Sequence, residues 1–345
     1  MKKCCYLFLL SFFLVVVASC DKEDDDMDSL LSKQSSPFVT PNSCVIDEVL
    51  KRDTLRILDI GNSYTNDGIA YLGHIVEAAN INTDNICFYS LTRGSASFKS
   101  WYDCYSGLDN QKYHLNKEFG GLTMQVKTGV YGNGDSSGMQ SALSQKWDLI
   151  IVHQVSDYAN DYRKWNTMSD GGYLYRYTKM LSALQPDAAF GFLLIHSYMD
   201  NYKSNTEGSS FKRWNNIVKA TDEMLVDYPI YQLVIPYGSA IENLRSSSLN
   251  NEYDLTRDGT HLGYGLARYA AACAYYQSIF YPRTGVSVLG NSWRYQCTSS
   301  ELKKVKYLSS CVDVYDDAAH VAQMAAVYAC QNYRTNVAPT SIATQ

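Results

Sequence analysis

Two short stretches carry side chains that could act on a substrate together. Residues 56–68 read RILDIGNSYTNDG and place Ser63 two positions beyond the glycine that ends an apolar run. Much later come Asp258-Gly259-Thr260-His261. A serine hydroxyl is a weak nucleophile near neutral pH and needs a base within hydrogen-bond reach. His261 is the candidate base, and Asp258 would fix its tautomer and steady the imidazolium. The chemistry of such a set is acyl transfer, which also needs donors for the tetrahedral oxyanion; the Ser63 N–H is one. Ser63 alone fits a helix N-cap equally well, since Ser, Thr and Asn are the usual caps. Asp258 could likewise cap a following helix, with His261 a satisfied surface residue. The two stretches together are far more specific than either one.

A strand and a helix must hold Ser63. Residues 57–60 are an apolar run of the kind that makes a buried strand, Gly61 breaks it, and from Tyr71 the spacing is helical, with Leu72, Ile75, Val76 and Ala79 on one face. Ser63 then sits at the carboxyl end of a strand near a helix amino terminus. Open α/β sheets put their chemistry there, and the helix dipole favours negative charge. Further strands are expected at 85–92, 148–154, 190–196 and 231–236, with helices at 173–185, 211–226 and 262–281 and a short one at SAIENLR. Five strands alternating with helices specify a parallel sheet covered on both faces. Residues 101–138 are polar, Gly-rich and aromatic; we expect an insertion lying over the strand ends, where loops form substrate walls. Beyond Pro282 a C-terminal extension, with VYDDAAHVAQMAAVYACQ helical, is expected to pack on the same domain.

GNSYT resembles the first block of the SGNH (GDSL-type) hydrolases, with Asn62 where the commoner form has Asp, and DGTH resembles their last block. The Gly-x-Ser-x-Gly elbow of α/β-hydrolases is absent, because Gly61 and Thr65 occupy its two glycine positions. The resemblance covers roughly residues 53–282. It implies a flavodoxin-like three-layer α/β/α fold with a five-stranded parallel sheet, in agreement with the pattern. It also implies a catalytic set of Ser63, Asp258 and His261 and an oxyanion hole of Ser63, Gly94 and a carboxamide after the third strand. The family has Asn at that last place. Here the strand ends His153-Gln154-Val155-Ser156, and Gln154 carries the same carboxamide on a longer arm. A Bacteroidetes-rich branch of SGNH-like proteins with GNS and a Gln is similar to this chain. His153 and His196, at strand ends, read as structural residues or pocket walls.

The chain opens with Lys2 and Lys3, an apolar run over 6–17 and Ala18-Ser19-Cys20, the marks of a signal peptide over residues 1–19. Val-Ala-Ser-Cys resembles a bacterial lipobox, which would make Cys20 the lipidated first residue; ordinary cleavage leaving Cys20 a plain thiol is the alternative. DKEDDDMD then holds six acids in eight residues, too charged to pack. Such a run also resembles the surface-export signal of Bacteroidetes lipoproteins. We therefore divide the chain into a signal peptide (1–19), a tether (20–52), a hydrolase domain (53–283) and the extension (284–345). Removing the signal peptide takes away two lysines, moving the formal charge from −5 to −7. That balance does not suit nucleic acid, and no segment past residue 19 is long and apolar enough to span a bilayer. Seven cysteines besides Cys20 remain, an odd number that leaves at least one thiol unpaired, and Cys297 with Cys311 is a plausible bridge. There is no Cys-x-x-Cys to suggest structural zinc.

These observations lead us to expect a lipid-anchored, extracytoplasmic serine esterase acting on a small-molecule or glycan ester, with acetylated carbohydrate the leading substrate. No metal or organic cofactor is implied, and the membrane is a partner through the anchor alone. The 29 tyrosines suit a surface that stacks on sugars, or ordinary amphipathic packing. A glycan-binding lipoprotein without turnover is the alternative in another class. A lipase or thioesterase would want an apolar groove, which the polar residues at 103–138 argue against.

Overall fold

The computed structural model describes residues 45–132, 134–166 and 172–340. The expected signal peptide, Cys20 and most of the acidic tether lie outside these residues. The end of the lead-in is ordered chain, since Ile46–Leu50 makes a short helix that buries Val49 and Leu50.

Seven strands form one sheet in the order β4-β3-β2-β1-β5-β6-β7. β1 (Leu55–Gly61), β2 (Ile86–Thr92), β5 (Leu149–Val152), β6 (Ala189–Leu193) and β7 (Tyr231–Ile235) run parallel and correspond to the five expected strands. Counted among themselves, their order is second, first, third, fourth, fifth, which is the flavodoxin-like order. Helices cover both faces, and that is why these strands read as largely apolar runs. On β1, Leu55 and Ile57 enter one core while Leu58 and Ile60 enter the other.

The helices that matter here are α1 (Ser63–Ile69), α2 (Leu72–Ala78), α3 (Phe98–Tyr105), α4 (Ser137–Leu143), α5 (Tyr173–Leu184), α6 (Ser210–Asp227), α7 (Tyr237–Arg245), α8 (Leu266–Ile279) and α9 (Asp316–Gln331). α1, α2, α7, α8 and α9 pack on one face of the sheet and α3, α4 and α5 on the other, with α6 reaching both cores. α1 begins at Ser63 itself, well before the helical spacing noticed from Tyr71. α8 begins four residues later than expected, because residues 262–265 belong to the loop that carries His261.

The stretch expected to lie over the strand ends extends the sheet instead. Within it, β3 (Tyr113–Phe119) pairs antiparallel with β2, and β4 (Gly129–Tyr131) pairs antiparallel with β3. Its signal is an alternation in which Tyr113 and Leu115 are buried and His114 between them is exposed, as a half-covered edge requires. Tyr113 stacks on Tyr131, centroids 5.2 Å apart. The sheet thus has seven strands where five were expected, the two extra ones at an edge.

α9 packs against α7 and α8, and Asn243 Nδ2 donates to the Ala325 carbonyl at 3.0 Å. Cys297 and Cys311 form a disulfide, while Cys87, Cys104 and Cys273 are buried thiols. Among the described residues no helix is long and apolar enough to cross a membrane, and no cluster of His, Cys, Asp and Glu could hold a metal ion.

Candidate active site

Strand register brings the predicted residues to one end of the sheet. Gly61 of β1 lies opposite Thr92 of β2, and Ile60 lies opposite Val152 of β5. Ser63 and Gly94 therefore leave neighbouring strands two residues past paired positions, and Gln154 does the same two residues past Val152.

The turn after β1 has little room. A Cβ on Gly61 would stand 2.2 Å from both His153 Nε2 and Thr65 Oγ1, so glycine is what fits there. Asn62 caps α1, its Oδ1 accepting from Tyr64 N–H at 2.9 Å and its Nδ2 donating to the Ala96 carbonyl at 3.1 Å. That cap, of a kind worth about 1 kcal/mol, also ties the serine turn to the Gly94 loop. Arg93 N–H donates to the Gly61 carbonyl at 3.2 Å and tightens the same junction. Ser63 occupies the first helical position, where the N–H has no intrahelical acceptor and can serve a ligand.

Asp258, His261 and Ser63 form one hydrogen-bonded line. Ser63 Oγ lies 2.9 Å from His261 Nε2, and His261 Nδ1 lies 2.7 Å from Asp258 Oδ2. Nδ1 carries the proton in this arrangement, which leaves Nε2 free to accept from the serine. Asp258 Oδ1 is held in place by His261 N–H at 2.8 Å, Thr260 N–H at 3.0 Å and Thr260 Oγ1 at 3.0 Å. Gly259 between them has a φ of +98°, a conformation that suits glycine and lets the loop fold back on the carboxylate. Partial burial alone would raise the Asp258 pKa. The hydrogen bonds from the His261 ring, the His261 N–H and the Thr260 N–H outweigh it and hold the carboxyl well below its ordinary range. Both side chains stay open to solvent, with 29% of His261 and 40% of Asp258 exposed.

Gly94 is exposed, and a Cβ there would meet nothing within 4 Å. Neither packing nor backbone conformation calls for glycine at that position. Gln154 is buried, and its Oε1 accepts from Val155 N–H at 2.8 Å. That bond commits the oxygen and leaves the NH₂ end as the donor.

A second histidine and carboxyl lie beneath the serine turn. His153 Nδ1–H donates to the Gln154 carbonyl at 2.9 Å, and its Nε2 accepts from Asn62 N–H at 3.2 Å. Thr65 Oγ1 lies 3.1 Å from the same Nε2 and donates to Asp59 Oδ1 at 3.2 Å; Tyr275 donates to Asp59 Oδ2 at 2.7 Å. Burial pushes His153 down to about 4 and Asp59 up to about 7.

Residues 56–310 match the family described as Domain of unknown function (DUF4886). The chain belongs to this family. A DUF4886 family protein from Bacteroides uniformis ATCC 8492, known from a crystal structure at 1.50 Å resolution, has the same fold. Its TM-score is 0.61 at 23% identity, over 83% of this chain and 98% of that one. A protein from Slackia heliotrinireducens described as a candidate SGNH hydrolase gives a TM-score of 0.40 at 13% identity, over 66% of this chain and 99% of that one. A gut microbial diltiazem-metabolizing enzyme gives 0.34 at 11% identity, over 68% and 47%. The last two likenesses are too slight to bear on function. No curated protein matches.

Three groups around this DUF4886 site have contacts that the sequence alone does not show. Asn62 was noted as a departure from Asp, not as the cap that joins two loops. His196, noted as a strand-end residue, donates from Nε2 to the Thr260 carbonyl at 2.6 Å and stacks on Tyr64 at 4.4 Å. Burial pushes it down to about 3, so it is neutral. Asp67 makes its contacts with residues far along the chain. Its one local signal is an acidic side chain a helical turn after Ser63 in a helix that is otherwise mostly buried.

Proposed function

We propose that this DUF4886 protein is an extracytoplasmic serine ester hydrolase that removes O-acyl groups, acetyl foremost, from carbohydrate. The line from Ser63 through His261 to Asp258, at 2.9 and 2.7 Å, carries the reading. Ser63 Oγ attacks the ester carbonyl as its proton passes to His261 Nε2. The tetrahedral oxyanion takes hydrogen bonds from the N–H groups of Ser63 and Gly94 and from the Gln154 carboxamide. Collapse expels the alcohol with the proton from His261 and leaves an acyl ester on Ser63. Water, deprotonated by His261, then releases the carboxylic acid. Asp258 remains an anion throughout and holds the ring in its productive tautomer.

The carbohydrate assignment rests on the expected export; the tyrosines add little to it, because many of them, Tyr89, Tyr177, Tyr269 and Tyr275 among them, are packed in the core. The anchor rests on the sequence around Cys20. Purified protein is to be assayed on a chromogenic acetate ester beside acetylated, feruloylated and methyl-esterified glycans. Hydrolysis by wild type and none by Ser63→Ala supports the reading. Glycan binding without turnover would replace it with the binding-protein alternative. Cys20→Ala should release the protein from the membrane fraction, and retention of that variant through a high-salt wash would contradict the anchor.

A further inference from the structure

Asp67 lies one helical turn after Ser63 on α1, and its side chain is wholly buried. Its Oδ2 accepts from Leu262 N–H at 2.9 Å. Its Oδ1 accepts from Arg257 Nη1 at 2.8 Å and from Arg268 Nε and Nη2 at 3.1 and 2.6 Å. Arg257 immediately precedes Asp258, and Leu262 immediately follows His261. One carboxylate therefore grips both ends of the tetrapeptide that carries the acid and the base, from the helix that carries the nucleophile.

The gripped loop is itself stiff. Arg257 N–H donates to the His261 carbonyl at 2.9 Å, Thr256 and Leu262 form a bridge, and the Arg257 guanidinium reaches the Leu262 carbonyl. The Arg257 and Arg268 guanidiniums lie over the Tyr264 ring, 5.2 and 4.3 Å from its centroid. The loop is also held at its middle, by Met199 N–H on the Gly259 carbonyl at 3.0 Å and by His196 Nε2 on the Thr260 carbonyl at 2.6 Å. Of these attachments the Asp67 grip is the one that starts on the helix carrying Ser63, so it bears most directly on where His261 Nε2 stands relative to Ser63. Burial by itself would raise the Asp67 pKa, but the Arg268 and Arg257 charges outweigh it and hold the group below its ordinary value, so it is an anion at working pH. An apolar side chain could fill this place with no charge to desolvate. What it could not do is direct bonds to a backbone N–H and two guanidiniums at once.

We propose that Asp67 is a positioning residue that sets the Ser63–His261 distance by gripping the residues on either side of Asp258–His261. Its kinetic consequence rests on the serine-hydrolase reading; its structural consequence does not. In the full chain, Asp67→Asn should lower kcat on a chromogenic acetate by about 10²-fold, the scale of a misplacement near 1 Å, with KM nearly unchanged. Amide exchange over residues 257–265 should quicken while β1 and β5 stay protected. Arg257→Gln, which removes the loop-side arm, should show the same signature more weakly. Arg268→Gln, which removes the arm to α8, should lower the thermal midpoint more and kcat less than Arg257→Gln does. If Asp67→Asn does not fold, the contrast between the two arginine variants decides. Unchanged kcat and unchanged exchange over 257–265 in folded Asp67→Asn would overturn the proposal. So would arginine variants that lose activity only in step with the thermal midpoint. A wild type without esterase activity would remove the hydrolase reading, and exchange over 257–265 would then decide the positioning claim alone.

Discussion

Two histidine–carboxyl sets flank the Ser63 turn, and they are opposites. On one side His261 and Asp258 meet directly at 2.7 Å, half-exposed, with the carboxyl held ionised by the bonds it receives. On the other side His153 and Asp59 are fully buried and joined through Thr65; there burial pushes the imidazole to about 4 and the carboxyl to about 7. The same residue types have been given different work by solvent. Half-exposed, the first set can take up and return a proton beside an anion. Buried, the second set favours neutral forms and is spent on backbone: His153 holds the N–H of Asn62 and the carbonyl of Gln154, the residues that aim two of the proposed oxyanion groups. Proximity to a serine does not make a histidine a base; its solvation and its free lone pair do.

The sharpest test of that contrast is one substitution made in both sets. Asp258→Asn loses the acceptor that keeps the proton on His261 Nδ1, so turnover should fall on the order of 10⁴-fold with the fold retained. A loss under tenfold in folded protein would erase the distinction between the sets. Between the two stands Gln154. Gln154→Ala should lower turnover by about 10²–10³-fold, the cost of one preorganised oxyanion donor, with little change in substrate affinity. Should only the thermal midpoint fall, Gln154 belongs with the buried scaffold and not with the chemistry.

Asp59→Asn is expected to act on stability alone. The fold keeps this proton to about pH 7, whereas the unfolded chain loses it near 3.8. Unfolding between those values releases a proton. The group's contribution is therefore full below 3.8 and is lost as pH rises through about 7, at no more than about 1.4 kcal/mol per pH unit. The variant keeps one oxygen to accept from Tyr275, turns its NH₂ toward Thr65 Oγ1 and cannot ionise, so its thermal midpoint should gain on wild type from pH 5 to pH 8, with turnover little changed. The His153 contribution has the other sign: it is full above 6.5 and is lost as pH falls through about 4.

The same contrast separates what was legible in the chain from what was not. The five parallel strands showed as apolar runs because both of their faces are covered. β3 and β4 did not, because an edge pair covered on one side buries only alternate residues such as Tyr113 and Leu115 among polar neighbours. Ser63, Asp258 and His261 stood out because each lies in a short stretch with a recognisable spacing. Asp67 and Asp59 did not, and His196 showed only as a strand-end residue, because their partners are remote: Asp67 meets Leu262 and Arg268, Asp59 meets Tyr275, and His196 meets Thr260. Local pattern reveals a side chain's chemistry, whereas its partners depend on the fold.

The proposed chemistry stands or falls on Ser63 being an activated nucleophile. Treating the folded protein with a fluorophosphonate and mapping the adduct by mass spectrometry tests it most directly, since the reagent needs a serine hydroxyl paired with a base. An adduct is expected on Ser63, and it should disappear in Ser63→Ala and in His261→Ala. Folded wild-type protein that stays unlabelled at Ser63, or that reacts at another serine instead, would contradict it.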